Sequence, residues 1–230
     1  MSKPTDNFVK KISTALNAHS DASRAAGMRA YMRDQFHFLG IPTPIRRKAV
    51  SVAIAELSEN SPGDLIAAAN LLWRKDHREF QYAAIDLLAR YHRKLDLRSV
   101  DSILELVQKK SWWDTVDGLA SVVGKVLLRL KQTDDQTQRT MDQAVMHENL
   151  WVRRVAMIHQ LGWRKNTDTV RLHSYASQLA GEKDFFIRKA IGWAFRDYAK
   201  HDPAWVKSTV AGLSSMLSPL SQREALKHLR

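Results

Sequence analysis

The sequence predicts an all-α fold, a solenoid of two-helix repeats, and three observations carry the prediction. Apolar residues recur at helical spacing along most of the chain, and no segment alternates convincingly as a strand would. Only 9 Gly and 6 Pro occur in 230 residues, too few for a turn-dense β fold or for low-complexity disorder. A short pattern also returns: a polar start, an aromatic, a basic or polar pair, then small apolar residues. It is read at 78–85, 149–156 and 184–191, with 111–116 between the first two in the same phase. Its marker aromatics, Phe80, Trp112, Trp151 and Phe186, are separated by 32, 39 and 35 residues.

Taken in order, the elements follow from where the apolar period stops and restarts. Breaks fall at 40–44 (Gly-Ile-Pro-Thr-Pro), 59–63 (Glu-Asn-Ser-Pro-Gly), 133–135, 166–168, Gly181 and Asp202-Pro203. Several supply a capping residue just ahead of a new apolar stripe, which ends one helix and starts the next. Val100, Ile103, Leu104 and Val107 keep the i, i+3, i+4, i+7 spacing of a helix packed on one side. Trp112, Val116, Leu119, Val123, Val126, Leu127 and Leu130 continue the stripe through the next helix. Roughly a dozen helices joined by short linkers account for the chain. The repeat interval lies near the HEAT and armadillo lengths, so one curved domain spanning 1–230, with a long concave face, is expected.

Composition narrows the function classes. Lys and Arg number 36 against 24 Asp and Glu, and the net charge of +12 points to an acidic partner, most commonly nucleic acid. The absence of cysteine excludes a disulfide framework, a thiolate metal site and a Cys nucleophile. No apolar run approaches the length of a membrane span, and the N-terminal stretch lacks the apolar run of a signal peptide. A cytoplasmic protein, nucleoid-associated when acting on DNA and without a membrane partner, is the expectation. The nine His form no metal-binding pair on one helical face, and there is no Gly-rich phosphate loop or Gly-x-Ser-x-Gly elbow. No metal and no cofactor are assigned.

Basic clusters recur at Arg46-Arg47-Lys48, Arg93-Lys94, Lys109-Lys110, Arg153-Arg154, Arg164-Lys165 and Arg188-Lys189. Aligned along one edge of a solenoid they suit a ladder of phosphate contacts on a basic concave face; any one of them alone reads as a solvated face.

The helix starting near Trp112 carries the most chemistry. With its core stripe through Trp112, Val116, Leu119 and Val123, the pair Trp113 and Asp117 lies about 100° round the axis, followed in that sector by Ser121 and Gly124. A carboxylate thus adjoins a large aromatic on a flank whose next turns are small, leaving room for something to approach. A surface Asp beside a half-buried Trp satisfies the same spacing. After Asn149, Arg153 is expected to project into solvent. Arg154 is expected at the edge of the apolar stripe, its head either reaching a groove or snorkelling outward. Trp193 falls within its helix's apolar sector with Phe186 and Ala190, a core position by pattern.

At 111–117, Ser-Trp-Trp-Asp-Thr-Val-Asp, the sequence resembles the DNA alkylation repair glycosylases, the AlkD-like HEAT-repeat family. The resemblance runs through most of the chain. It includes Tyr31-Met32, 38–41, 44–47, Glu79-Phe80-Gln81-Tyr82, Asn149-Leu150-Trp151 with Arg154, the string Phe-Phe-Ile-Arg-Lys-Ala-Ile-Gly-Trp at 185–193, and 217–227. It implies a monofunctional glycosylase that hydrolyses the N-glycosidic bond of cationic purines alkylated at N3 or N7 in duplex DNA. Motif by motif, Asp117 corresponds to the catalytic carboxylate, and Trp113 and Trp193 to aromatics flanking the lesion's sugar. Arg154 corresponds to a holder of the adjacent phosphate, and Tyr31 completes the aromatic cluster. The resemblance further implies that the base stays stacked, where many glycosylases flip it.

Arg46, Arg47, Lys48, Lys109, Lys110, Arg153, Arg188 and Lys189 are the remaining residues expected on double-stranded DNA, and a monomer is expected. The alternative is a non-catalytic HEAT-repeat protein binding damaged or branched DNA. Such a scaffold has no use for a carboxylate in a basic groove, where it repels phosphate.

Overall fold

The computed structural model describes residues 3–131 and 135–229. Thirteen α-helices occupy them, with 3-10 turns at Asp135–Gln138 and Arg164–Asn166, and no strand occurs among the described residues. Of the expected break at 133–135, positions 133 and 134 lie outside the described residues. The chain falls into two compact units, Met1–Ser102 and Ile103–Arg230.

The first unit holds α1 (Lys3–Asn17), α2 (Ala22–Tyr31), α3 (Thr43–Ala55), α4 (Pro62–Trp73) and α5 (Arg78–Arg90), and the unit boundary falls inside α6 (Leu97–Val107). Its helices start where the sequence places punctuation. Asp21 caps α2 by accepting from the Ser23 and Arg24 amides, and Ser61 and Asp64 form a reciprocal capping box on α4 with Pro62 in the first turn. α1 packs on α3 and α4, which in turn pack on α5, and Ile12, Leu16, Leu65, Leu72, Leu87 and Leu88 are fully buried. The buried carboxylate of Glu79 accepts from the amides of Leu39, Gly40 and Ile41 at 2.9–3.1 Å, which fastens the loop ahead of α3 to α5.

The second unit holds α7 (Trp113–Leu130), α8 (Arg139–Ala144), α9 (Leu150–Ile158), α10 (Thr169–Leu179), α11 (Phe185–Tyr198), α12 (Pro203–Gly212) and α13 (Pro219–Ala225). Asn149, Asp168, Asp184, Asp202 and Ser218 cap α9 to α13 in turn with side-chain oxygens. In each unit alternate helices lie side by side: α1 on α3 and α3 on α5 in the first, α7 on α9 and α9 on α11 in the second. That is the arrangement of stacked helical repeats, as the aromatic interval predicts.

Two glycines set how closely the helices of the second unit approach. A Cβ on Gly124 of α7 would sit 1.9 Å from the His159 carbonyl oxygen, and one on Gly192 of α11 would sit 2.5 Å from Glu224 Cβ. Gly124 therefore does not open the Asp117 flank to a ligand, as its place in the small-residue sector suggests. Its lack of a side chain is used up by the end of α9, and the Trp163 indole N–H donates to its carbonyl at 3.1 Å. Beside this contact His159 is fully enclosed and edge-on to Trp163, with Arg171 bridging Asp142 and Asp168 nearby.

Candidate active site

The site is built from the starts of three neighbouring helices of the second unit. Trp112 occupies the N-cap position of α7, so Trp113 is the first helical residue and Asp117 follows one turn later on the same face. Trp113 and Asp117 are both half-buried. From α9 the guanidinium of Arg154 meets Asp117 in a bidentate pair, Nε 2.7 Å from Oδ1 and Nη2 2.9 Å from Oδ2. Its third nitrogen, Nη1, donates to the carbonyl oxygen of Phe186 in α11 at 2.5 Å.

Burial decides the electrostatics of the pair. The Arg154 side chain is 6% exposed and that of Asp117 18%. Burial raises the Asp117 pKa above the ordinary 3.8, the Asp114 charge adds to the rise, and Arg154 opposes it. The result is a carboxylate of raised basicity, oriented by a planar fork, beside an indole. Each oxygen retains lone-pair capacity for a further partner. Trp193 is half-buried on α11, two turns beyond Phe186 and on the same side of that helix.

Other expected site residues are placed as follows. Tyr31 ends α2 in the first unit with 72% of its surface exposed. Arg46 is buried in α3, paired with Asp86 at 3.0 Å and lying over the Tyr82 ring, while Arg47 and Lys48 are exposed. Lys109 is exposed and Lys110 half-buried in the link between α6 and α7. Arg188 donates from Nε to the Glu182 carbonyl, and Lys189 pairs with Glu224.

Arg153 departs from the sequence reading. Instead of projecting into solvent it is half-buried, donating from Nη1 to the carbonyls of His147 and Glu148 at 2.7 Å, with Nε 2.7 Å from the Glu182 carboxylate. The helix starts one residue before Trp151, and the loops ahead of α9 and α11 lean together over this position. Helical phase alone does not report loops.

The chain's own pattern holds a signal for the Asp117–Arg154 pair. Each lies within about a turn and a half of its marker aromatic, Asp117 after Trp112 and Arg154 after Trp151, so stacking two repeats faces them. Among the described residues no group of three or more His, Asp or Glu could hold a metal ion, and no helix is long and apolar enough to cross a membrane.

The family profile described as DNA alkylation repair enzyme matches residues 12–229. The chain belongs to the DNA alkylation repair enzyme family. Among solved structures it is similar to an Enterococcus faecalis protein described as a predicted DNA alkylation repair enzyme. The two are 32% identical with a TM-score of 0.82, over 92% of this chain and 97% of that one. It also shares its fold with AlkD2 from Streptococcus mutans, at 19% identity and a TM-score of 0.60 over 77% of this chain and 87% of that one. No curated protein matches. Membership of the DNA alkylation repair family makes DNA the partner that the +12 charge calls for.

Proposed function

We propose that the protein is a monofunctional alkylpurine DNA glycosylase, releasing cationic N3- or N7-alkylated purines from duplex DNA by hydrolysis of the N-glycosidic bond. The observation that carries the reading is the half-buried Asp117 carboxylate, held by Arg154 one turn from Trp113 in a chain of net charge +12.

Alkylation at N3 or N7 leaves the base positively charged and a good leaving group, so little general-acid assistance is required. Positive charge grows on the deoxyribose as the bond breaks. A fixed carboxylate beside that sugar stabilises the charge and can orient or deprotonate the attacking water. Trp113 and Trp193 offer indole faces to the same cation, each contributing about 0.5–2 kcal/mol according to desolvation. Arg154 favours the ionised form of Asp117 against burial and sets its angle. It can do so only by committing its nitrogens to protein oxygens, so phosphate contact from this residue requires a rearrangement of the pair. Among the residues expected on DNA, Arg47, Lys48 and Lys109 are the exposed cations. Selection then rests on the charge and lability of the lesion, with the base left in the stack.

The test is release of free base from a duplex carrying a single N7-methylguanine, comparing wild type with Asp117→Asn and repeating on N3-methyladenine. Release by wild type alone is the expected result. No release above the spontaneous rate on either lesion, with DNA binding retained, overturns the proposal in favour of a binding scaffold.

A further inference from the structure

Arg154 is fixed from two helices at once: Asp117 of α7 takes two of its nitrogens and the Phe186 carbonyl of α11 takes the third. The ring of Phe186 in turn packs against two others. Its centroid lies 5.2 Å from that of Trp112 and 4.9 Å from that of Trp151, and the two indoles are 5.8 Å apart, with interplanar angles of 44–67°. Tilted and edge-on pairs of this kind have preferred geometries, so they resist sliding as well as separation.

The placement of the rings follows the helices that carry the proposed site. Trp112 caps α7 directly before Trp113, Trp151 is the second residue of α9, three before Arg154, and Phe186 is the second residue of α11, seven before Trp193. About one turn separates the cluster from Arg154, a turn and a half from Asp117, and two turns from Trp193. Trp112 Nε1 is buried without a hydrogen-bond partner, so this indole is held there by the fit of its ring and not by its N–H. Close-packed rings pass a displacement on instead of absorbing it. A shift of α9 or α11 by a fraction of an ångström would open the fork between Arg154 and Asp117.

We propose that Trp112, Trp151 and Phe186 form a positioning cluster for the reaction. They set the register of α7, α9 and α11 so that Arg154 grips both oxygens of Asp117 and aims the carboxylate along the Trp113 flank. The kinetic half of this inference rests on the glycosylase reading; the electrostatic half does not. Loosening the cluster weakens the interaction that holds Asp117 ionised, so its titration moves upward. A ring set that served stability alone would leave that titration in place.

The variants are Trp151→Leu, Phe186→Leu as a second disruption should the first fail to fold, Trp151→Phe as the conservative change, and Leu179→Ala as a core lesion elsewhere in the unit. Two readouts are taken on the full chain: the pH dependence of single-turnover base release, and titration of the Asp117 carboxyl carbon by NMR. The disruptive variants are expected to slow release at neutral pH about 10- to 100-fold and to raise the pH at which Asp117 titrates, with the acidic limb of the rate following it. Trp151→Phe restores both, and Leu179→Ala lowers the melting temperature without moving either. An Asp117 titration that shifts no further in the disruptive variants than in Leu179→Ala overturns the proposal. If wild type releases no base yet the titration moves as described, the positioning role stands and the glycosylase reading falls.

Discussion

Arg154 holds Asp117 by both carboxylate oxygens and gives its remaining terminal nitrogen to the carbonyl of Phe186. Three helices are thereby joined through one guanidinium that is almost wholly enclosed. A partly buried pair of this kind penalises the loss of either member, because the survivor keeps its desolvation cost without its partner.

For Asp117→Asn this means two separable effects. Base release falls to the spontaneous rate, while affinity for duplex DNA is retained or rises as a negative charge near phosphate is lost. Asn keeps one acceptor for Arg154, so the loss of stability is expected at about 1–3 kcal/mol and not at the larger figure of a severed buried pair. Chemical denaturation alongside the excision assay checks both.

The pH profile tests the other half of the pair. Burial raises the Asp117 pKa and Arg154 lowers it. A carboxylate that acts as an anion loses activity as pH falls through its pKa, so the acidic limb is displaced upward from where an ordinary Asp would put it. Arg154→Ala removes the lowering influence and moves that limb to higher pH. Arg154→Lys keeps the charge but not the fork and gives an intermediate limb. A limb that stays put in both variants would show that Asp117 titration does not govern the rate.

Arg46 and Arg47 are adjacent in sequence and opposite in consequence. Arg46 is buried against Asp86 and Tyr82, while Arg47 is exposed beside the same carboxylate. Arg47→Ala is expected to reduce the salt dependence of DNA binding by about one ion-release unit. Arg46→Ala is expected to act on stability, by roughly 1–3 kcal/mol, because the buried hydrogen bonds of Arg46 are lost while Asp86 keeps Arg47 as a partner. Binding titrations at several salt concentrations, paired with urea melts, separate them.

Gly192→Ala places a methyl group 2.5 Å from Glu224 Cβ and 2.9 Å from the Ser221 carbonyl, contacts that backbone must yield to relieve. Destabilisation of about 3 kcal/mol is expected, beyond what helix propensity returns. Since α13 packs on α11, the helix that carries Trp193, base release is expected to fall with it; an unchanged melting temperature would mean that α13 shifts freely.

His159 makes stability depend on pH. Burial pushes its imidazole down to about 4 from 6.5, with Arg171 adding to the fall and Asp142 and Asp168 opposing it. The unfolded chain therefore binds the proton first. Stability from this group is complete above about pH 6.5 and is lost as pH falls through the window down to about 4, on the order of 3 kcal/mol in all. Urea midpoints at pH 7 and pH 5 are expected to differ more in wild type than in His159→Gln.

Much of this architecture is legible along the chain because its determinants are local. The stripe through Val100, Ile103 and Val107, the break at 59–63 and the Asp202-Pro203 start each act over one or two turns, and periodicity and its interruptions report them directly. The i, i+4 placement of Trp113 and Asp117 belongs to the same class, as does the interval between the marker aromatics. The partner of each side chain belongs to another. Arg154 and Asp117 meet across 37 residues, Arg153 is drawn inward by loops ahead of two helices, and Gly124 is small because the His159 carbonyl occupies its side-chain space. Those relationships depend on how closely one repeat settles on the next, to within an ångström. Helices, their repeat and the residue types available for chemistry are thus written locally along the chain, whereas the pairing of charges follows from the packing of α7, α9 and α11, because desolvation and ion pairing are set by distances that helical phase does not contain.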